Sequence, residues 1–185
     1  MKSFKDEYLI ELYQGGSLSA FEEIYGRYEK RIEYFFFRML WNDREKASDF
    51  TQDLFLKVIE KINSFNTGLS FKTWIFSIAN NMCKNEYRKS EVESRVYENL
   101  KAESVTHHQN GAEKATDFEV FMKELQFLLN QEDEQKKTAF MLRYFEEMPI
   151  KEIAEVLHLP EGTVKSGLHY TTKRLSKKLI HFKPI

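Results

Sequence analysis

The sequence predicts an all-α fold of two small helical domains joined by a polar linker. Three observations lead to this prediction. Apolar residues recur at spacings of three and four along most of the chain, no alternating strand pattern with hairpin turns competes, and one polar, poorly periodic stretch interrupts the helical pattern. We therefore expect a first domain over residues 1–90, a linker over residues 91–116 and a second domain over residues 117–185.

The first domain is predicted to be a small helical bundle. A short opening helix ends at Gly15 and Gly16, and residues 63–70 carry the Asn, Ser and Gly of a loop. Three apolar stripes lie on the helices around them: Phe21, Ile24, Tyr25, Tyr28, Ile32, Phe36, Met39 and Leu40, then Leu54, Phe55, Val58, Ile59 and Ile62, then Trp74, Ile75, Ile78 and Met82. Because three such stripes can close a core, we expect Phe71 and Trp74 to be core residues and not a base-stacking platform.

The second domain ends in a helix-turn-helix pattern. Two helices, over residues 118–129 and about 132–145, precede a helix at residues 150–157, a turn at residues 158–161 and a last helix from about Gly162. Val164, Leu168, Leu175 and Leu179 fall on one side of that last helix, and Ser166, His169, Tyr170, Lys173 and Lys177 face outward. A helix with this outer face can enter the major groove of DNA.

Charge is distributed unevenly around a net charge of -1. Residues 117–160 carry ten acidic side chains against five basic ones, whereas residues 161–185 carry six basic side chains against one acidic one. Any binding of nucleic acid must therefore come from local charge or from a partner that helps.

Several classes of protein are disfavoured. No run approaches the roughly 18 apolar residues of a membrane span, so we expect a soluble, cytoplasmic protein with no membrane insertion. The single cysteine, Cys83, is expected to be a buried thiol. His107 and His108 have no cysteines or further spaced histidines to complete a metal site. Asp49 and Asp53 face the same way on a helix and could form half of a metal site, but no second pair or histidine completes it. We expect no metal, no cofactor and, without a nucleophile-base pair, no enzymatic activity.

Two separated segments resemble the extracytoplasmic-function sigma factors, the small two-domain members of the sigma-70 family. Phe21 to Ser90 is similar to region 2 of that family, and Ala139 to Leu179 is similar to region 4. The motif IAEVLHLPEGTVKS within the second segment also suits the DNA-binding end of response regulators, so the order of both segments makes the resemblance specific. The resemblance implies a transcription initiation subunit that binds core RNA polymerase and promoter DNA.

The resemblance also implies which residues act. The helix matching DFTQDLFLKVIEKI would dock on the clamp helices of the largest polymerase subunit through Gln52, Asp53, Phe55, Leu56 and Lys57. The loop matching FNTGLS would capture a flipped base of the minus-ten element, and the helix after it would follow the duplex edge. The candidates for binding the minus-ten element are Asn66, Ser70, Lys72, Asn80, Asn81, Lys84 and Arg88.

The last helix would read the minus-thirty-five element. By the resemblance, base contacts fall on Lys165, Ser166, His169 and Tyr170, and backbone contacts on Thr163 and Lys173. Many members of the family have arginines where this chain has Gly167 and Tyr170. Because lysine cannot replace the arginine fork at guanine, we expect weak DNA binding by the isolated protein and a promoter sequence unlike the commonest one of the family.

The resemblance suggests one further partner, a membrane-bound anti-sigma factor that hides both DNA-binding surfaces. Three alternatives stay open from the residues alone. A helix-turn-helix regulator acting without being a polymerase subunit would bind duplex DNA tightly alone, a nucleic-acid enzyme would turn over substrate, and a protein-binding adaptor would survive removal of the basic side chains.

Overall fold

The computed structural model describes residues 3–98 and 116–182, and all of their side chains except those of residues 94–98. Every regular element in these ranges is a helix, which confirms the predicted all-α class. The first domain contains α1 (Asp6–Gln14), α2 (Leu18–Met39), α3 (Arg44–Lys61), a 3-10 turn (Ile62–Ser64) and α4 (Phe71–Glu98). The second contains α5 (Asp117–Leu129), α6 (Glu134–Tyr144), α7 (Ile150–Leu157) and α8 (Glu161–Lys178).

Side-chain caps fix where three of these helices begin. The Asp43 carboxylate accepts a hydrogen bond from the Lys46 amide at 3.0 Å at the start of α3, and Asp133 accepts one from the Lys136 amide at 2.9 Å at the start of α6. Thr116 and Glu119 exchange both bonds of a capping box at the start of α5. Each cap satisfies an amide that has no partner within the helix.

The core of the first domain follows the predicted stripes with one exception. On α2 the side chains of Ile24, Tyr28, Ile32, Phe36 and Met39 are all buried, as is Leu40 just after the helix. On α3 the prediction is wrong for Ile59, whose side chain is 42% exposed. Ile59 directly follows the fully buried Val58, and one residue rotates the helix by about 100°, so it turns away from the core.

Helix α1 holds the loop between α3 and α4 in place. The Gln14 side-chain amide donates to the carbonyl oxygens of Ile62 and Phe65 at 2.7 and 3.0 Å, and the Glu7 carboxylate accepts from the Phe71 amide at 3.0 Å. The Phe71 ring is fully buried and packs edge-on against Tyr28, with ring centroids 5.4 Å apart. Phe71 is therefore a core residue, as predicted.

The second domain has the predicted helix-turn-helix. Its α8 buries Val164, Leu168 and Leu175 against α6 and α7, and Leu179 directly after the helix is also buried. At the end of α7, His158 adopts the left-handed backbone conformation with φ of 55°. This single residue turns the chain so that α8 can cross α7.

Replacing His158 with glycine is expected to stabilise the protein by about 1 kcal/mol, because the left-handed conformation costs a residue with a Cβ about that much and costs glycine nothing. Urea unfolding followed by circular dichroism would measure the change. His158→Ala keeps the Cβ and serves as the control, with an expected change within about 0.5 kcal/mol. A glycine variant less stable than the alanine variant would contradict this view of the turn.

The two domains pack against each other. Helix α7 lies across α4, and α6 meets the end of α2. Helix α4 runs to Glu98, eight residues beyond the predicted domain boundary at residue 90. Most of the predicted linker, including His107 and His108, lies outside the described residues.

Candidate nucleic-acid interface

The outer face of α8 is open to solvent. All six residues expected at the minus-thirty-five element are exposed on it: Thr163, Lys165, Ser166, His169, Tyr170 and Lys173. Buried residues at Val164, Leu168 and Thr171 alternate with them and anchor the helix on α6 and α7. The outer face therefore combines hydrogen-bonding side chains with lysines on a rigid support, as recognition of base edges and phosphates requires.

Gly167 flanks this outer face beside α6. A Cβ added at Gly167 would lie 3.7 Å from Cγ of Lys136, an ordinary van der Waals distance. The approach of α6 to α8 therefore does not require a glycine at this position.

Gly167→Ala is accordingly expected to stabilise the protein by up to about 1 kcal/mol, the cost of glycine relative to alanine within a helix. Gly26→Ala is the matched control, because Gly26 lies within α2 and an added Cβ would meet nothing within 4 Å. Chemical denaturation of both variants would measure the two gains. Destabilisation by Gly167→Ala alone would show that the contact between α6 and α8 needs the glycine.

The surface of α3 carries four of the five residues expected to contact polymerase. Gln52, Asp53, Leu56 and Lys57 are exposed, and Leu56 is 59% exposed. The Phe55 ring is instead buried, with its centroid 4.6 Å from that of Tyr25. Phe55 therefore supports the helix from inside and is not part of its surface. Sequence reasoning missed Ile59, which lies one turn after Leu56 and extends the apolar part of this face.

The seven residues expected at the minus-ten element fall into two groups. Five of them lie in the loop before α4 or on α4 itself, and the other two, Lys72 and Asn80, lie on α4 under the second domain. Asn66 is exposed, and Asn66 and Ser70 bond to nearby backbone: Asn66 accepts from the Gly68 amide at 2.9 Å, and Ser70 accepts from the Thr73 amide at 3.2 Å. These bonds shape the loop and cap α4. On α4 itself, Asn81 and Arg88 are exposed and Lys84 is half-buried.

Asn80 and Lys72 lie under the second domain. Asn80 is fully buried, and its side-chain amide is 3.4 Å from the carbonyl oxygen of Val156 on α7. Lys72 donates to the carbonyl oxygen of Glu146, and Thr73 donates to the Glu152 carboxylate at 3.1 Å. The resemblance places Asn80 among the minus-ten contacts, but α7 covers it, so Asn80 is not accessible to DNA in this arrangement.

An ion pair joins the domains next to these contacts. Nε and Nη2 of Arg31 lie 2.9 and 2.6 Å from Oε2 of Glu146, and the Glu146 side chain is only 6% exposed. Burial raises the pKa of the Glu146 carboxyl, and Arg31 opposes this shift. Burial also lowers the pKa of Lys72, and the neighbouring positive charge of Arg31 adds to that effect.

A second contact joins the two domains, between α6 and the end of α2. Nζ of Lys137 lies 3.3 Å from the carbonyl oxygen of Met39, which also accepts a hydrogen bond from the Tyr87 hydroxyl. Burial lowers the pKa of Lys137 to about 8. Burial raises the pKa of the Cys83 thiol, whose electrostatic neighbours include Glu134 and Lys137 of α6. The predicted buried thiol is confirmed.

The described part of the chain has neither a metal-binding cluster nor a membrane-spanning helix. Within residues 3–98 and 116–182, no group of three or more His, Cys, Asp or Glu side chains could hold a metal ion. None of the helices described is long and apolar enough to cross a membrane.

Comparisons with known proteins agree with the arrangement of the two domains. The model of Sigma-70 region 2 matches residues 24–92, and that of Sigma-70 region 4 matches residues 122–175. The ECF RNA polymerase sigma factor SigW of Bacillus subtilis is 28% identical over 182 residues, covering 92% of this chain and 94% of that protein. The ECF RNA polymerase sigma-E factor of Haemophilus influenzae is also 28% identical over 182 residues, covering 94% and 95%.

Two solved structures share the fold. The sigma factor RpoE in complex with the anti-sigma factor NepR from Bartonella quintana superposes with a TM-score of 0.69 at 24% identity, covering 88% of this chain and 98% of that one. CnrH in complex with the cytosolic domain of CnrY superposes with a TM-score of 0.71 at 18% identity, covering 95% and 97%. With both sigma regions present in order and full-length relatives of one kind, the chain belongs to the extracytoplasmic-function (ECF) sigma factors of the sigma-70 family.

Proposed function

We propose that this sigma factor binds core RNA polymerase through α3 and recognises the minus-ten and minus-thirty-five promoter elements through α4 and α8. The exposed polar face of α8, on the same chain as a region 2 domain, is the observation that carries the proposal. The chain itself performs no catalysis and needs no cofactor, because polymerase supplies the chemistry of transcription.

The polymerase contact is assigned to the exposed face of α3. Leu56 and Ile59 give it an apolar centre, and Gln52, Asp53 and Lys57 surround that centre with polar groups. A small apolar centre with a polar rim is the usual composition of a protein-protein contact. Phe55 acts from below by packing on Tyr25.

The minus-ten contact is assigned to the loop over residues 65–70 and to α4. Asn66, Ser70 and Lys72 would meet the flipped base and its backbone, and Asn81, Lys84 and Arg88 would follow the strand along α4. Extruding a base costs a few kcal/mol, which contacts in the pocket and binding to polymerase offset. Asn80 can join this surface only after the second domain has moved away, since α7 covers it.

The minus-thirty-five contact is assigned to the outer face of α8. Lys165, Ser166, His169 and Tyr170 would reach base edges in the major groove, and Thr163 and Lys173 would hold the phosphates. This face is exposed even while the domains are packed together. The two domains, predicted over residues 1–90 and 117–185, would separate to span both elements.

An anti-sigma factor is the proposed regulatory partner. In one of the similar structures the sigma factor RpoE is bound to the anti-sigma factor NepR. Since the relatives are bacterial sigma factors and polymerase acts in the cytoplasm, we infer that this chain acts there too.

Run-off transcription on genomic fragments tests the proposal. Core polymerase is expected to give discrete products only when this chain is added. Tight binding of the chain alone to the same duplex fragments, without any chain-dependent product, would favour the alternative of a helix-turn-helix regulator that is not a polymerase subunit.

A further inference from the structure

Two cations of the first domain converge on one acidic residue of the second. Arg31 projects from α2 and directs both Nε and Nη2 at a single oxygen of Glu146, at 2.9 and 2.6 Å. Lys72 comes from the first turn of α4 and donates to the carbonyl oxygen of the same residue. Positions 115 and 74 residues away in sequence therefore meet at Glu146.

The two cations lie close enough to repel each other. The charge of Arg31 disfavours the charged form of Lys72, whereas Glu146, Glu147 and Glu152 of the second domain favour it. Like charges held together on a surface form a site for an anion, and here region 4 supplies that anion.

The ligand that this pair fits is a phosphate group. An arginine that directs two nitrogens at a carboxylate can bind a phosphate oxygen in the same way, and lysine binds phosphate as a point charge. Lys72 lies two residues after the loop assigned to the minus-ten element, so a bound strand would bring its backbone past both side chains. Arg31 keeps 39% of its side chain exposed even in the closed arrangement.

We propose that Arg31 and Lys72 together bind a backbone phosphate of promoter DNA, and that Glu146 occupies this site while the domains are packed together. The inference rests on the proposed function and adds Arg31 to its DNA contacts. DNA and the closed arrangement then compete, and the apparent affinity for DNA is reduced in proportion to the open fraction.

The test measures binding of the full chain to a fluorescently labelled single-stranded DNA of mixed sequence, because phosphate contacts do not depend on sequence. Glu146→Gln keeps the shape of the side chain and removes its charge. It is expected to tighten binding about tenfold, the effect of losing one charge-assisted hydrogen bond in the competing closed form.

A second substitution identifies the phosphate contact itself. Adding Arg31→Gln to Glu146→Gln is expected to weaken binding again and to reduce the slope of affinity against salt by about 0.7, the value for one phosphate on a single strand. Glu155→Gln, an exposed acid on α7, is the control for charge alone and should change binding less than about twofold. If Glu146→Gln lowers the helical circular dichroism signal, Glu146→Met replaces it, because methionine also removes the charge at a similar length, and the change is expected in the same direction.

Two results would overturn the proposal: Glu146→Gln binding DNA no better than Glu155→Gln, or Arg31→Gln leaving affinity and salt slope unchanged in the Glu146→Gln background. Either result leaves the proposed function standing if the wild-type chain supports promoter-specific transcription with core polymerase. Absence of such transcription would instead reject the function, whatever the binding assay shows.

Discussion

Replacing both Lys165 and His169 with alanine is expected to lower transcription from dependent promoters roughly 30-fold or more, because each lost base contact costs about 1 to 3 kcal/mol. Both side chains are exposed on α8, and neither has a hydrogen-bond partner that the structure records, so folding should be unaffected. Binding to core polymerase should stay unchanged, since α3 lies in the other domain. Run-off transcription and a polymerase binding assay would measure the two effects separately.

Lys123→Ala provides the matched control for the loss of charge. Lys123 is exposed on α5 of the same domain and is not part of the outer face of α8, so its loss should change transcription less than about twofold. If the double variant loses transcription and polymerase binding together, α8 is a structural element and not the reader of the minus-thirty-five element.

Leu56→Asp is expected to weaken binding to core polymerase by at least about 2 kcal/mol, or roughly 30-fold, because it places a charge at the apolar centre of the proposed contact. Leu56 is 59% exposed and so contributes little to the fold. The measurement is a titration of labelled chain with core polymerase, and circular dichroism would verify that the variant is folded.

Leu18→Asp tests whether any exposed leucine would behave in the same way. Leu18 is 72% exposed at the first position of α2, where an acidic residue favours the helix. Polymerase binding should be unchanged in this variant. Equal losses from Leu18→Asp and Leu56→Asp would remove the case for α3 as the docking helix.

Helical periodicity predicted the local features of the fold well. The buried residues of α2 and the split of α8 into a buried and an exposed side both follow from spacings of three and four, since these depend only on the geometry of one helix. Ile59 shows the limit of this reasoning, because an apolar residue at the edge of a stripe can turn either inward or outward.

The contact between domains could not be predicted from the sequence. Glu146 is one acid among ten in residues 117–160, and no local pattern marks it as the partner of Arg31, 115 residues away. For the same reason the resemblance could place Asn80 among the minus-ten contacts although α7 buries it. A surface defined by one helix can be predicted from sequence, but whether another domain covers it depends on tertiary packing.

The most direct test of the sigma-factor account is to map the 5′ ends of transcripts that core polymerase makes on genomic DNA with and without this chain. The account predicts a set of start sites that appear only with the chain and share two sequence elements upstream, at the minus-ten and minus-thirty-five positions and at a constant spacing. Chain-dependent start sites that share neither element, or no such start sites at all, would contradict it.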